Sequence, residues 1–379
     1  EAANTNGSDK NSLDIHGCAG TIAPDFTSRL TKRSTMSEQP SKIGYLLINL
    51  GTPDSPEVKD VRRYLGEFLM DPHVLDVPWA IRALIVNAFI LPFRPKDSAE
   101  AYGKIWTPEG SPLLVKSQAL ADKLQARLDA PVALSMRYGK PSIADGLMAL
   151  HENGVTQVCI VPLYPHYADS TITTSVTSAM AHLPNGMQGN VIDPFYRATE
   201  HTRAWGETIR RHLPDQWDHL LFSYHGLPER HLTKADPTNE HCLKQENCCE
   251  MDSVAHKTCY RHQVFVTSKE IAGYLNLPVE KHSVSFQSRL GRIPWLTPYT
   301  DQVLEQMPSR GIKHVAVACP AFVVDNLETL EEMGMQGEET FLAAGGESFT
   351  LVPCVNDDDL WVEGLAALCL KQAETLTAA

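Results

Sequence analysis

What most constrains this chain is a rhythm. From residue 43 onward, short apolar runs rich in β-formers alternate with longer segments of helical period. The first runs are IGYLLINLG (43–51), PVALSMRYG (131–139), QVCIVPLYP (157–165) and NVIDPFYR (190–197). A second set follows: HLLFSYHGLP (219–228), KHSVSFQSR (281–289), KHVAVACPAF (313–322) and SFTLVPCVN (348–356). Helical stretches fall between them at 113–128, 141–152, 199–213, 264–275, 299–308 and 326–335. The runs are apolar on both faces, as strands of a helix-covered parallel sheet must be. The pattern predicts an α/β fold of two similar doubly wound domains, each with a four-stranded parallel sheet flanked by helices. We expect an N-terminal α/β domain over 41–205 and a C-terminal one over 206–356. A final helix, 357–379, is expected to pack back on the first domain. Residues 1–40 are polar and aperiodic and read as a disordered tail, in which Met36 resembles a natural start.

Open sheets of this kind bind ligands beyond the carboxyl ends of their strands. No GxGxxG follows a strand and no GxxxxGK[ST] occurs, so the ligand is expected to be something other than a dinucleotide. A formal charge of −13 argues against a nucleic-acid partner. No signal-peptide core precedes the nine cysteines, and no run reaches the length of a membrane span. The thiols are expected to stay reduced and the protein to be cytoplasmic. WAIRALIVNAFILPF (79–93), interrupted by Arg82, reads as an amphipathic or buried helix and as a candidate peripheral membrane contact.

LLFSYHGLPER (220–230) puts His225 where a buried strand becomes a loop, with Gly226 allowing close approach. An imidazole there is either satisfied by a backbone carbonyl or available as a metal ligand or proton acceptor. AFVVDNLETLEEM (321–333) opens a helix that Asp325 or Asn326 can cap. Glu328 and Glu332 share a face with Asp325, whereas Glu331 faces elsewhere. Such carboxylates are either a solvated acidic helix start or, beside His225, metal ligands and bases. Trp295 reads as core or as the flat wall of an aromatic site. Arg137 and Tyr138 lie at another strand end, and Arg94 reads as a partner for a ligand carboxylate or as an ordinary surface arginine.

Residues 231–262 form a polar insert holding Cys242, Cys248, Cys249 and Cys259. Their spacing fits no standard zinc pattern. Four thiolates are what a [2Fe–2S] cluster needs; zinc and uncomplexed thiols are the alternatives. His241, His256 and His262 are spare ligands.

The motifs LLINLGTPDSP, GSPLLVKS, SMRYGKPS, LYPHYADST, FSYHGLPER, SFQSRLGRIPWLTPYTD and CPAFVVDNLETLEE occur in that order. From about residue 42 to about residue 375 the chain resembles the ferrochelatase family. The resemblance implies a chelatase-like fold and a lyase that inserts Fe²⁺ into protoporphyrin IX, the last step of haem biosynthesis. It implies His225, Glu328 and Glu332 as catalytic residues, with His225 and Glu328 meeting the metal. It implies Arg94, Ser111, Arg137, Tyr138 and Trp295 as residues lining the porphyrin cleft or holding its propionates. Some members carry a [2Fe–2S] cluster. Asn326 stands where some members have histidine, and Asp169 where cluster-bearing members often have a cysteine. Partners are then protoporphyrin IX and Fe²⁺, and the protein a monomer or homodimer. The alternatives are a chelatase for another metal or tetrapyrrole (cobalt and sirohydrochlorin, or coproporphyrin) and a non-catalytic haem-binding redox sensor.

Overall fold

The computed structural model describes residues 42–289, 291 and 293–377. The expectations for the tail, with Met36 and Cys18, lie outside the described residues. Eight strands are present: β1 (Ile43–Gly51), β2 (Val132–Tyr138), β3 (Gln157–Pro162), β4 (Gln188–Val191), β5 (His219–His225), β6 (His282–Gln287), β7 (His314–Ala318) and β8 (Ser348–Leu351). The helices are α1 (Val58–Leu69), α2 (Trp79–Leu84), α3 (Arg94–Ile105), α4 (Pro112–Gln125), α5 (Ile143–Glu152), α6 (Thr174–Ala181), α7 (Thr199–His212), α8 (Glu229–Ala235), α9 (Tyr260–Tyr274), α10 (Thr300–Gln306), α11 (Glu338–Ala343) and α12 (Asp359–Thr377). Three π-helical turns interrupt them, at Ile85–Ile90, Asp169–Thr173 and Glu328–Gly337. The sequence rhythm did not mark α1 or α3.

β1 shows why its run is apolar on both faces. Successive side chains of a strand point to opposite sides. Tyr45 and Leu47 pack with Leu120 and Leu124 of α4. Leu46 and Ile48 pack with Ile143, Leu147 and Leu150 of α5. Both sheets are wholly parallel and have the same order, β2-β1-β3-β4 and β6-β5-β7-β8. The run at 190–197 starts its strand earlier and ends it sooner than expected. β4 pairs with β3 from Gln188 to Val191, and Pro194 beyond it has no N–H to continue the ladder.

One core runs through both sheets and includes Leu47, Trp205, Phe222, Tyr224 and Trp361. The division expected near residue 205 falls inside α7, and residues 41–379 cluster as one unit. α12 packs on α4, α7 and β3. At that seam His201 of α7 is fully buried, edge-on to Phe195 and Trp361. Neither of its ring nitrogens has a protein hydrogen bond. Burial lowers its pKa to about 3.

That burial has a pH signature. Between the unfolded value near 6.5 and the folded value of about 3, only the unfolded chain takes up the proton. The stability contribution of a neutral His201 is therefore complete above about pH 6.5 and falls as pH drops, by up to about 1.4 kcal/mol per pH unit. In urea titrations between pH 7 and 4, His201→Phe should lose stability less steeply than the parent. Parallel curves would show that His201 does not set the acid limb.

Candidate active site

Strand order decides where a cleft forms. In each sheet the order reverses at the central pair, β1/β3 and β5/β7, and crevices open beyond such switch points. One cleft takes its lining from the segments that end these four strands: Asn49–Thr52, Leu163–Thr171, His225–Leu227 and Ala321–Glu328. α1 and α3 add Tyr64, Phe68 and Tyr102, the residue before α4 adds Ser111, and α9 adds Tyr260. The cleft encloses about 1120 Å³ of empty space, solvent at its mouth included. Its walls are mostly aromatic and aliphatic, with a few convergent polar groups.

The backbone at the mouth of β1 tolerates only glycine. Gly51 has φ +114°, and a Cβ there would lie 1.8 Å from the Tyr138 carbonyl oxygen. This places Thr52, whose hydroxyl donates to Ser111 Oγ at 2.8 Å. Tyr64 donates to the Gly51 carbonyl at 3.1 Å. At the mouth of β5, Gly226 fits against Gln287, since a Cβ would sit 2.8 Å from the Gln287 carbonyl oxygen. His225 is half-buried here. Its Nδ1–H donates to the Gly226 carbonyl at 2.6 Å, a bond that assigns the tautomer and leaves Nε2 as the basic nitrogen. Tyr260 donates to the His225 carbonyl at 2.9 Å, and Phe322 stands edge-on to the imidazole.

The helix after β7 begins at Leu327, and Asn326 Oδ1 caps it by accepting the Thr329 N–H at 3.0 Å. Glu328 opens the π-helical stretch and lines the cleft. Burial first, and then the charge of Glu328, hold the Tyr102 phenol well above its ordinary range, so that phenol stays protonated. Glu332 stands behind Glu328. It accepts the Ser288 N–H at 2.7 Å and, on its other oxygen, the Ser288 hydroxyl. Ser288 meets it with a left-handed backbone, φ +65°, which a serine adopts at a cost. Burial pushes the Glu332 carboxyl above the usual glutamate range, with the neighbouring Glu328 adding to the rise; Ser288 and His225 pull it back.

The expected carboxylate row is shorter by one. Asp325 lies before the helix and has no helical phase. It is buried and accepts Lys116 Nζ at 2.6 Å, the Cys354 N–H at 2.9 Å and Asn356 Nδ2 at 2.9 Å. Glu331 faces away, as the sequence suggested, and pairs with Lys104 at 3.0 Å.

Of the residues singled out in the sequence, His225, Glu328 and Ser111 line one cleft, and Glu332 touches it from behind. The others stand outside. Arg137 Nη2 and the Tyr138 hydroxyl both donate to Asp71, at 2.5 and 3.0 Å, while Arg137 Nε donates to Thr174. Burial works to raise the Asp71 carboxyl, but hydrogen bonds from Thr174 and the His73 N–H, with the Arg137 charge, hold it below its usual range. Tyr138 backs the cleft wall by packing edge-on against Phe68, with centroids 5.2 Å apart. Trp295 forms an isolated bridge with Pro228 and packs on Gly226. Arg94 is exposed at the start of α3, with no hydrogen-bond or ion-pair partner among the described residues. Sequence reading passed over Tyr64, Tyr102, His166, Tyr260 and Ser288. Tyr64, Tyr102 and Tyr260 sit in none of the strand runs, His166 directly follows the run 157–165, and Ser288 near the end of the run 281–289 has a backbone conformation that leaves no trace in its residue type.

The 79–93 segment turns itself inside out. Arg82 is buried and donates to the Leu75 and Val77 carbonyls, both at 3.0 Å. Trp79, Leu84, Phe89 and Phe93 face solvent instead, 59–72% exposed. The alternative of a buried helix is thereby corrected: the arginine finds its acceptors inside, and the apolar face is left outside. The loop before this segment is tied to α8. The Asp76 carboxylate meets Arg230, His231 at 3.5 Å and Lys234 at 4.0 Å.

α8 leads into the cysteine insert. Asp236 accepts the N–H groups of His241 and Cys242, each at 2.8 Å, and both the N–H and hydroxyl of Thr238. Cys242, Cys248 and Cys259 are buried, and Cys249 is half-buried. A hydrogen bond with Cys249, helped by the His262 N–H and by Cys242, pulls the Cys259 thiol down to about 6 against its burial. Arg261 Nη1 reaches the sulfurs of Cys248 at 3.8 Å and Cys249 at 3.6 Å. Among the described residues no group of three or more His, Cys, Asp or Glu is arranged to hold a single metal ion.

Two parallel sheets of one order, with a cleft across their paired switch points, define a two-sheet α/β protein built to bind a ligand at its strand ends. SirB from Bacillus subtilis, solved with Fe³⁺, has the same fold: TM-score 0.51 at 12% identity, covering 89% of this chain and 98% of that one. The family model described as Ferrochelatase matches residues 42–373. The Ferrochelatase of Pseudomonas fluorescens (strain Pf0-1) is 49% identical over 329 residues, 86% of this chain and 96% of that protein. That of Azotobacter vinelandii (strain DJ / ATCC BAA-1303) is 49% identical over 329 residues, 86% of this chain and 97% of that protein. The chain belongs to the ferrochelatase family.

Proposed function

We propose that this protein inserts Fe²⁺ into protoporphyrin IX, with His225 taking the protons that the ring gives up. Family membership makes it a metal-chelatase lyase of haem synthesis. The reaction exchanges two pyrrole protons for one Fe²⁺, so the site has to accept protons and receive a cation that has shed water. The observation that carries the reading is the His225 tautomer. With Nδ1–H committed to the Gly226 carbonyl, Nε2 keeps its lone pair in a cleft that Glu328 shares. Glu332, raised by burial, takes a proton more readily than a surface glutamate does and stands next in line. We assign Glu328 to meeting the metal and Glu332 to carrying protons outward.

A flat macrocycle shields its own nitrogen lone pairs. The cleft is lined by the rings of Tyr64, Phe68 and Tyr102, with Leu327 packed among them, and by Phe322 and Val323, and apolar walls of this kind can bend a ring. The strain is about 1–5 kcal/mol, drawn from binding elsewhere. Ser111 and the unpaired Arg94 are the groups we assign to the propionates. Arg137, Tyr138 and Trp295 we assign to support: they hold Asp71, Phe68 and the His225 loop.

The residues of the insert fit an iron–sulfur cluster. Four thiols converge, most of them buried, and an arginine guanidinium faces two of the sulfurs. Cys242, Cys248, Cys249 and Cys259 would hold a [2Fe–2S] cluster, which supplies one-electron redox chemistry when bound. The exposed side chains of 79–93 we assign to a peripheral contact with the membrane surface, on its cytoplasmic side, where free thiols persist. No helix among the described residues is long and apolar enough to cross a membrane.

Four outcomes are expected. Anaerobic protein mixed with Fe²⁺ and protoporphyrin IX should develop the haem spectrum. His225→Ala should slow that at least ~100-fold with unchanged circular dichroism, and a rate within a few-fold of the parent removes His225 from the chemistry. As isolated without oxygen, the protein should be coloured and carry about two iron and two sulfide per chain; a colourless, iron-free protein defeats the cluster assignment. The protein should co-sediment with phosphatidylglycerol vesicles, and Phe93→Asp with Trp79→Asp should abolish that while leaving haem formation in detergent intact. Equal sedimentation of parent and variant would rule out this face as the contact.

A further inference from the structure

The adjacent pair Cys248-Cys249 is the part of the insert hardest to reconcile with one four-thiolate site. Side chains of neighbouring residues ordinarily diverge, and a loose dipeptide would present only one sulfur at a time. Two thiolates from adjacent positions can serve one cluster only if the backbone between and after them is held in a single conformation.

Three imidazoles hold it. The Cys248 carbonyl oxygen accepts from His241 Nε2 at 2.6 Å and from His256 Nε2 at 3.2 Å, which uses both of its lone pairs. The Cys249 carbonyl oxygen accepts from His262 Nδ1 at 2.7 Å. The rings also brace one another. His256 and His262 stack in parallel, with centroids 3.6 Å apart and planes 6° apart, and His241 stands edge-on to His256 at 5.3 Å. Each ring is rooted beside another thiol. His241 precedes Cys242 in the turn that Asp236 fixes, and His256 and His262 flank Cys259, three residues before it and three after. Arg261 reaches the two sulfurs of the pair themselves. The dipeptide is thus pinned by its carbonyls to imidazoles and by its sulfurs to a guanidinium.

These distances speak against the simplest alternative, in which one imidazole replaces a thiolate. Rings stacked face to face with centroids 3.6 Å apart are braced by one another rather than spread around a common metal.

We propose that His241, His256 and His262 are positioning residues: a braced set of imidazoles that orders the Cys248-Cys249 backbone so that both sulfurs serve one iron–sulfur cluster. The proposal rests on the reading that the insert carries a [2Fe–2S] cluster.

The test uses full-length protein purified anaerobically as parent, His256→Phe, His262→Phe and His256→Gln. Phenylalanine keeps a flat ring in the stack but removes the donor; glutamine restores an N–H donor without an imidazole. Iron and sulfide per chain, the electron paramagnetic resonance of the dithionite-reduced protein, and the rate of cluster loss to excess EDTA are read for each, with circular dichroism as the check on folding. The phenylalanine variants are expected to bind a cluster with the parent's g-values and to lose it about tenfold faster or more, and glutamine to recover most of the retention. Loss rates equal to the parent's overturn the positioning role while leaving the cluster reading intact. Altered g-values in a phenylalanine variant would mean that the imidazole is itself a ligand, and this also overturns it. A parent without iron or sulfide overturns the cluster reading, and the proposal falls with it. Should the phenylalanine variants misfold, the comparison of His256→Gln with the parent still decides, since failure of glutamine to retain the cluster contradicts a role as hydrogen-bond donor.

Discussion

The structure depends on a repeated strand order. Each sheet winds outward from a central pair, so each has one place where the crossovers part and backbone leaves a crevice. Because both sheets repeat the order, there are two such places, and a single continuous core joins the sheets. The cleft then draws on the ends of β1, β3, β5 and β7, residues more than 200 positions apart in the chain. Everything else in the site is fitted to that frame: Gly51 and Gly226 let backbones approach, and the tyrosines of α1, α3 and α9 close the walls.

A frame made from distant pieces needs ties, and buried carboxylates provide them. Asp325 just before the active-site helix and Glu331 within it are almost without solvent contact, and each meets a lysine from the first half of the chain, Lys116 and Lys104. Burying a charge is expensive unless it is paired, so such pairs add little net stability but penalise any arrangement that separates them. They fix the helix that carries Glu328 and Glu332 to α3 and α4. Asp71 plays the corresponding part within the first sheet, gathering Arg137, Tyr138 and Thr174. The polar groups nearest the chemistry are therefore held by other polar groups that never reach the cleft.

This also explains what was legible in the sequence. Periodicity marked the inner strands β1, β3, β5 and β7 because residues buried on both faces leave an uninterrupted apolar run, while the less buried edge strand β4 overlapped its run by only two residues. His225 stood out because it interrupts such a run at its end, and Glu328 because it opens a helix just after another. Arg137 and Tyr138, which end β2, and Trp295, which follows β6, carry the same signature, but β2 and β6 are the outer neighbours of β1 and β5. Strand order is a property of pairing and is invisible to periodicity, so residues facing the cleft and residues backing it looked alike. Asp325 misled for a related reason: it lies two residues before the helix begins, where helical phase does not apply. Arg82 looked like a polar break in an apolar helix, when its guanidinium is the part that turns inward.

One carboxylate outside the cleft has a mechanical consequence. Asp76 roots the segment of exposed apolar side chains, and the two cations beside it, Arg230 and Lys234, ride on α8. The far end of that short helix passes directly into Asp236, which seats Cys242. A swing of the outer segment has to strip one acid of its basic neighbours or drag the helix along. Greasy rim and sulfur-rich lobe are therefore joined through one short helix and the ion pairs at its outer end.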